Sequence, residues 1–161
     1  MVIVLMGPSG AGKSTVGRAL AHELGERMID ADDLHSPAAI EKMRNGIGLT
    51  EEDRWPWLER IREQMDAVHT VGGDAVVACS ALRQEYRDFL ASGSAPVRFV
   101  FLDATPGLLR SRLVRRTGHF AAADLLQSQL ETLEVPTDAL TLDAALPVDT
   151  LVARIRAALT K

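Results

Sequence analysis

The stretch Gly7-Pro8-Ser9-Gly10-Ala11-Gly12-Lys13-Ser14-Thr15 sets glycine, glycine, lysine and hydroxyl at the spacing G-x-x-x-x-G-K-[ST]. Residue types in this order hold phosphate. Glycines let successive backbone N–H groups turn toward phosphate oxygens. Lys13 can neutralise β- and γ-phosphates, and the Ser14 hydroxyl can complete a Mg²⁺ shell. A helix starting at Lys13 would aim its positive end at the same anion. The flanks fit as well, because Val2–Met6 is an unbroken apolar run of the kind buried on both faces of a parallel sheet. A chance glycine-rich turn would not need that context. The reading is a nucleotide site, with ATP and Mg²⁺ as expected ligands.

Phosphate binding alone does not say what becomes of the nucleotide. The guanine-reading Asn-Lys-x-Asp and the switch Asp-x-x-Gly are both missing from the sequence, which argues against a GTPase switch. A metal-side carboxylate is still required, and two strand ends offer one. Asp103 closes the apolar run Val97–Leu102, and Asp30 closes Arg27–Asp30. Asp32 lies two residues beyond Asp30, and a strand-end Asp-x-Asp can direct one carboxylate to metal water and the other to an acceptor hydroxyl. The pair Asp30 and Asp32 is therefore preferred to Asp103, which reads as structural; local turn or N-cap duty is the alternative for the pair.

These side chains need a scaffold, and the chain alternates apolar runs with helical patterns. Helices are expected at Lys13–Leu24, at 37–44, from about 50 to 68, after Cys79, from Thr105-Pro106, from about 124 to 133, and over the stripe Val148, Leu151, Val152, Ile155 and Leu159. Strands are expected at 2–6, 27–30, 74–79, 97–102 and 139–142. Such alternation predicts an α/β fold, a five-stranded parallel doubly wound sheet with right-handed crossovers. Roughly 45 residues separate strands two and three, more than a crossover needs, so 31–72 reads as a helical substrate-binding insertion. The small-residue stretch within 116–124 reads as a short lid.

At 161 residues the chain is one domain by size. A net charge of −4 with no Lys/Arg block argues against nucleic acid as a partner. No apolar run is long enough to cross a membrane. Cys79 is the only cysteine, which excludes an intrachain disulfide and suits a reducing compartment. The phosphate loop begins at residue 7, leaving no room for a signal peptide, so a cytoplasmic setting is expected.

Taken together the segments resemble the gluconokinase family, within the shikimate-kinase-like small-molecule P-loop kinases, over nearly the whole length. The resemblance rests on the P-loop; on Asp30-Ala31-Asp32-Asp33-Leu34-His35 and Ile40-Glu41-Lys42-Met43; on Asp53-Arg54 with Pro56-Trp57-Leu58; on Cys79-Ser80-Ala81-Leu82-Arg83 with Tyr86-Arg87-Asp88; on Gly118-His119-Phe120; and on Leu125-Leu126-Gln127-Ser128-Gln129 with Glu134 and Pro136. There are departures. The family's His-Pro with an Asn four residues after the His is here His35-Ser36-Pro37 with Ala39. Gly48-Leu49 stands for Pro-Leu, Arg83 for a usual lysine, and Ala121 for a bulkier residue.

The resemblance implies a P-loop NTPase fold and transfer of the ATP γ-phosphoryl group to the 6-hydroxyl of D-gluconate, in a chain that can pair as a homodimer. Lys13, Asp32 and Arg116 would be catalytic. Gly7, Ser9, Gly10, Ala11, Gly12, Lys13, Ser14, Thr15, Arg112 and Arg116 would bind the nucleotide, and Ser14 and Asp30 the metal. Asp32, His35, Lys42, Arg54, Ser80, Arg83 and Gln129 would bind the sugar acid, a set of cations, donors and acceptors suited to a polyhydroxylated carboxylate. Arg54 has the alternative of pairing with Asp53 or Glu51, Lys42 that of a solvated helix face, and His35 that of a helix-start histidine. Rival readings are a related kinase with another small hydroxy acid as acceptor and a nucleotide-binding module without turnover. Shikimate itself is disfavoured, because Cys79-Ser80-Ala81 replaces the glycine triplet of shikimate kinases.

Overall fold

A computed structural model gives the fold for residues 1–117 and 120–161, with side chains described for all of these except 117 and 120–124. Five strands, β1 (Val2–Met6), β2 (Arg27–Asp30), β3 (Ala75–Ala78), β4 (Val97–Asp103) and β5 (Leu140–Asp143), form one parallel sheet in the order β2-β3-β1-β4-β5. The register pairs Leu5 of β1 with Ala78 of β3 on one side and with Val100 of β4 on the other. β1 is thus the central strand. Later strands fall on both sides of it, and the ligand crevice of such a sheet opens at the carboxyl end where this reversal occurs.

Alternation along β1 explains why its whole run is apolar. Val2, Val4 and Met6 pack with Trp57, Leu58, Ile61 and Met65 of helix α3 (Glu51–Thr70) and with Tyr86 and Leu90 of α4 (Gln84–Ala91). Ile3 and Leu5 face the other way, toward Val16 and Leu20 of α1 (Lys13–Leu24), Leu109 of α5 (Pro106–Thr117), Leu126 of α6 (Phe120–Thr132) and Ile155 of α7 (Val148–Leu159). Both faces are covered, so neither can carry polar residues in the central strand.

Helix ends follow local chemistry. Between β2 and β3 the chain forms a 3₁₀ turn (Ala31–Leu34), then α2 (Pro37–Arg44), then α3. Ser36 Oγ accepts from Ala39 N at 3.1 Å and Pro37 opens α2. Thr50 and Asp53 form a capping box that starts α3. Gly12, at φ 96°, caps α1 in a backbone shape that a side chain disfavours, which lets the phosphate loop turn directly into the helix.

Several expected bounds move. β3 is shorter at both ends, β4 runs on to Asp103, and α3 reaches Thr70. Helix α6 starts at Phe120 rather than near 124, because small alanines favour helix and no breaker intervenes. Of the expected lid at 116–124, Gly118 and His119 and the side chains of 117 and 120–124 lie outside the described residues.

Candidate active site

The loop 7–12 leaves β1, and the N-terminus of α1 follows it at the carboxyl edge of the sheet. Two cavities adjoin it. One, of about 330 Å³, lies between the loop and α5 and is bordered by Gly10, Gly12, Thr15, Arg112 and Arg116, with Leu146 among its apolar walls. The other, of about 380 Å³, is bordered by Ser9, Lys13, Asp32, His35, Arg54 and Ser80. An elongated anion seated on the loop would reach both.

On the first side, Arg112 Nη1 donates to the carbonyls of Gly10 and Ala11 at 3.2 and 3.3 Å, and its Nη2 donates to Ala144 O at 2.7 Å. It ties the phosphate loop to the turn after β5. Arg116 borders the first cavity and acts electrostatically on both Lys13 and Asp32. Arg115 also borders the first cavity, a position its place in an arginine run did not reveal.

At the junction, Lys13 Nζ donates to Pro8 O at 2.9 Å. Withdrawal from water lowers its pKa below the usual lysine value, and Asp32 is its strongest opposing charge. Asp32 stands exposed to the open cleft, 82% by side chain. The cleft walls still displace enough water to raise its carboxyl above the usual 3.8; Lys13 and Arg116 oppose this, while Asp30 and Asp33 add to it. Asp30 has another task. Its Oδ2 accepts from Ser14 Oγ at 2.7 Å, and its Oδ1 from Asp32 N at 3.1 Å. Asp103 borders neither cavity, so the Ser14 hydroxyl meets Asp30.

That pair fits Mg²⁺. Among the described residues no cluster of three or more His, Cys, Asp or Glu could hold a metal through protein ligands alone. A hydroxyl and a carboxylate side by side at the phosphate loop match an ion that takes its remaining oxygens from phosphates and water. Cys79 is fully buried and its thiol is pushed up to about 12, so it stays neutral and is no nucleophile.

In the second cavity His35 stacks on Trp57 with ring centroids 4.3 Å apart, and Trp57 Nε1 donates to Ala31 O at 2.7 Å. His35 Nε2 lies 3.9 Å from Asp32 Oδ1, while the buried Nδ1 has no hydrogen-bond partner among the described residues. Burial, with Arg60 adding to it, drops the imidazole to about 4, so the ring is neutral at ordinary pH. Gln129 borders the cavity, but its amide is engaged with the phosphate loop: Ser9 N donates to Oε1 at 2.7 Å, and Nε2 donates to Ser9 Oγ at 3.0 Å.

Two expected acceptor residues do not border the cavity. Lys42 Nζ is bonded to Asp53 Oδ2 at 2.7 Å, because the capping carboxylate of α3 offers it a nearby partner. Arg83 is held outside by Glu51 and Glu85, at 3.7 and 3.5 Å. Arg54 does border the cavity, with Glu51 at 3.4 Å and the Tyr86 hydroxyl at 3.2 Å.

The task of Arg87 emerges only from the fold. The side chain is 2% exposed and donates to the carbonyls of Ala81, Leu82 and Glu134 at 2.8 to 3.2 Å. Ala81 holds φ at 43°, a left-handed conformation that costs alanine about 1–2 kcal/mol. The arginine locks that turn, which presents Ser80 to the cavity. A sequence shows an arginine on a helix; the carbonyls it meets come from the turn just before that helix and from Glu134, 47 residues away.

A family model described as an AAA domain matches residues 2–136. The gluconokinase of Gluconobacter oxydans (strain 621H) is 49% identical over 140 residues, which span 84% of this chain and 76% of that protein. The crystal structure of a sugar kinase from Janibacter sp. HTCC2649 superposes with a TM-score of 0.89 at 43% identity, covering 99% of this chain and 94% of the other. That of a gluconokinase from Sinorhizobium meliloti 1021 gives 0.85 at 42% identity, covering 99% and 95%.

Proposed function

This chain belongs to the gluconokinase family of P-loop phosphotransferases, and from that premise we propose that its cleft moves the γ-phosphoryl group of ATP to the 6-hydroxyl of D-gluconate, giving 6-phospho-D-gluconate and ADP. The observation that carries the proposal is that Lys13, Asp32 and Arg54 border one cavity beside the phosphate loop.

Phosphoryl transfer needs positioning and charge neutralisation more than covalent help. The loop N–H groups and the α1 N-terminus would hold the phosphates. Lys13 would leave the Pro8 carbonyl for the β- and γ-oxygens, and Arg116 would add a second cation. Arg112 would lie along the base. Ser14 and Asp30 would hold Mg²⁺, directly or through water; when bound, the ion neutralises phosphate charge and draws the phosphate oxygens into place. Asp32 would orient the acceptor hydroxyl and take its proton, which a raised pKa favours. Arg54 would hold the acceptor carboxylate, and Ser80 and the neutral His35 would face its hydroxyls. The segment 31–72 would serve as the acceptor-binding part and 116–124 as the lid.

A homodimer in the cytoplasm completes the reading, and light scattering on the purified chain tests the dimer. The reaction is tested by ADP release with gluconate, shikimate and a neutral hexitol, with and without Mg²⁺. Gluconate should give the highest kcat/KM, and only with the ion. A preference for shikimate would overturn the assignment.

A further inference from the structure

Arg54 does not reach the cavity unaided. Glu51 opens α3, Arg54 follows one turn later, and Tyr86 projects from α4 between them. The Tyr86 hydroxyl donates to Glu51 Oε1 at 2.6 Å and accepts from Arg54 Nη1 at 3.2 Å. The Glu51 oxygen also lies 3.4 Å from Arg54 and 3.7 Å from Arg83. Tyr86 is 2% exposed, and Trp55 meets its ring edge-on at 5.5 Å, so the hydroxyl has a fixed location.

We propose that Tyr86 is a positioning residue for the acceptor: anchored on Glu51, its hydroxyl turns the Arg54 guanidinium toward the cavity and keeps that cation available to the substrate carboxylate. The inference rests on the reading of Arg54 as the carboxylate partner. Two features of the network carry it. A phenol is a neutral acceptor, so it orients an N–H without cancelling the positive charge, whereas Glu51 would cancel it. And the 2.6 Å bond to Glu51 is the short, charge-assisted contact of the group, which uses the carboxylate on Tyr86 and leaves Arg54 and Arg83 only longer ones. Hydrogen bonding from Tyr86 also holds the Glu51 carboxyl below its usual range, so the anchor stays ionised. Without the hydroxyl, Arg54 has its closest anionic partner three residues back on its own helix, and closing that 3.4 Å contact would draw it away from the acceptor.

The test compares Tyr86→Phe, Arg54→Ala and the double variant by steady-state kinetics and thermal melting. Tyr86→Phe should raise the gluconate KM about five- to tenfold while the ATP KM and kcat stay within about twofold. In the Arg54→Ala background the same change should add nothing, since the hydroxyl acts through the guanidinium. A gluconate KM unchanged in Tyr86→Phe, equal effects on both substrates, or an additive loss in the double variant would overturn the proposal. Should wild type not turn over gluconate at all, the reading of the cleft falls first and this inference with it. That outcome is distinct from turnover with an indifferent Tyr86.

Discussion

Ser9 and Gln129 hold each other through two hydrogen bonds, 2.7 Å from Ser9 N to Oε1 and 3.0 Å from Nε2 to Ser9 Oγ, across 120 residues of sequence. The phosphate loop is therefore fastened to α6, the helix whose first residues fall within the expected lid. Gln129→Glu keeps an acceptor for Ser9 N, loses the donor to Ser9 Oγ, and sets a negative charge beside the phosphate seat. It should weaken ATP binding by about tenfold or more, and by more than Gln129→Ala, because charge repulsion adds to the lost bond. Calorimetric titration with ATP checks the order. Equal affinities for the two variants would mean that Gln129 does not face the phosphates.

Asp30 and Asp32 should separate by role. Asp30→Asn removes the charge beside Ser14 Oγ and should raise the Mg²⁺ concentration for half-maximal rate. Asp32→Asn should lower kcat on gluconate by about 10²–10⁴-fold if the carboxylate takes the proton, and by less if it only orients the hydroxyl. Slow ATP hydrolysis without gluconate should stay nearly unchanged in Asp32→Asn. In wild type, kcat/KM should fall on the acid side through a pKa above 3.8, the direction in which the cleft walls shift Asp32 by displacing water. An acid limb that survives Asp32→Asn, or a metal defect that follows Asp103 instead of Asp30, would reassign both carboxylates.

How much of this could be read beforehand depended on where each signal lies. The start of α5 was legible because Thr105 and Pro106 are adjacent in sequence, and the β1–loop–α1 unit because its motif is contiguous. The Asp30–Ser14 pair was legible because a strand end and the phosphate loop must meet at one sheet edge. Lys42 and Arg83 were not, since the carboxylates that hold them, Asp53 and Glu51, are chosen by packing. Glu51 itself reads as one of three acidic residues in the first turn of a helix, a pattern that stabilises any helix start. Arg87 stands in a segment that carries the family resemblance, but its task appears only where the Ala81 turn and the Glu134 carbonyl close around it. The strand order, too, comes only from long-range pairing.

His35 makes a stability prediction of definite sign. Its folded pKa of about 4 lies below the ordinary 6.5, so on acidification the unfolded chain binds the proton first. The stabilisation is present in full above pH 6.5 and is lost as pH falls from there to about 4, a contribution on the order of 3 kcal/mol. His35→Phe keeps the stack on Trp57, removes the unpartnered Nδ1, and should melt with less acid sensitivity. Melting curves between pH 7 and 4.5 should therefore converge or cross in favour of the variant. Parallel Tm profiles for the two proteins would show that His35 does not carry that dependence.

The most direct test is to identify the product by ³¹P and ¹H NMR after incubating the purified chain with ATP, Mg²⁺ and D-gluconate. A new phosphomonoester signal, growing in step with ADP and coupled to the two protons on carbon 6, is the result expected of a cleft in which Asp32 receives that hydroxyl and Lys13 the phosphate. A phosphorus signal coupled to a single proton on another carbon, or release of inorganic phosphate in place of an ester, would contradict it.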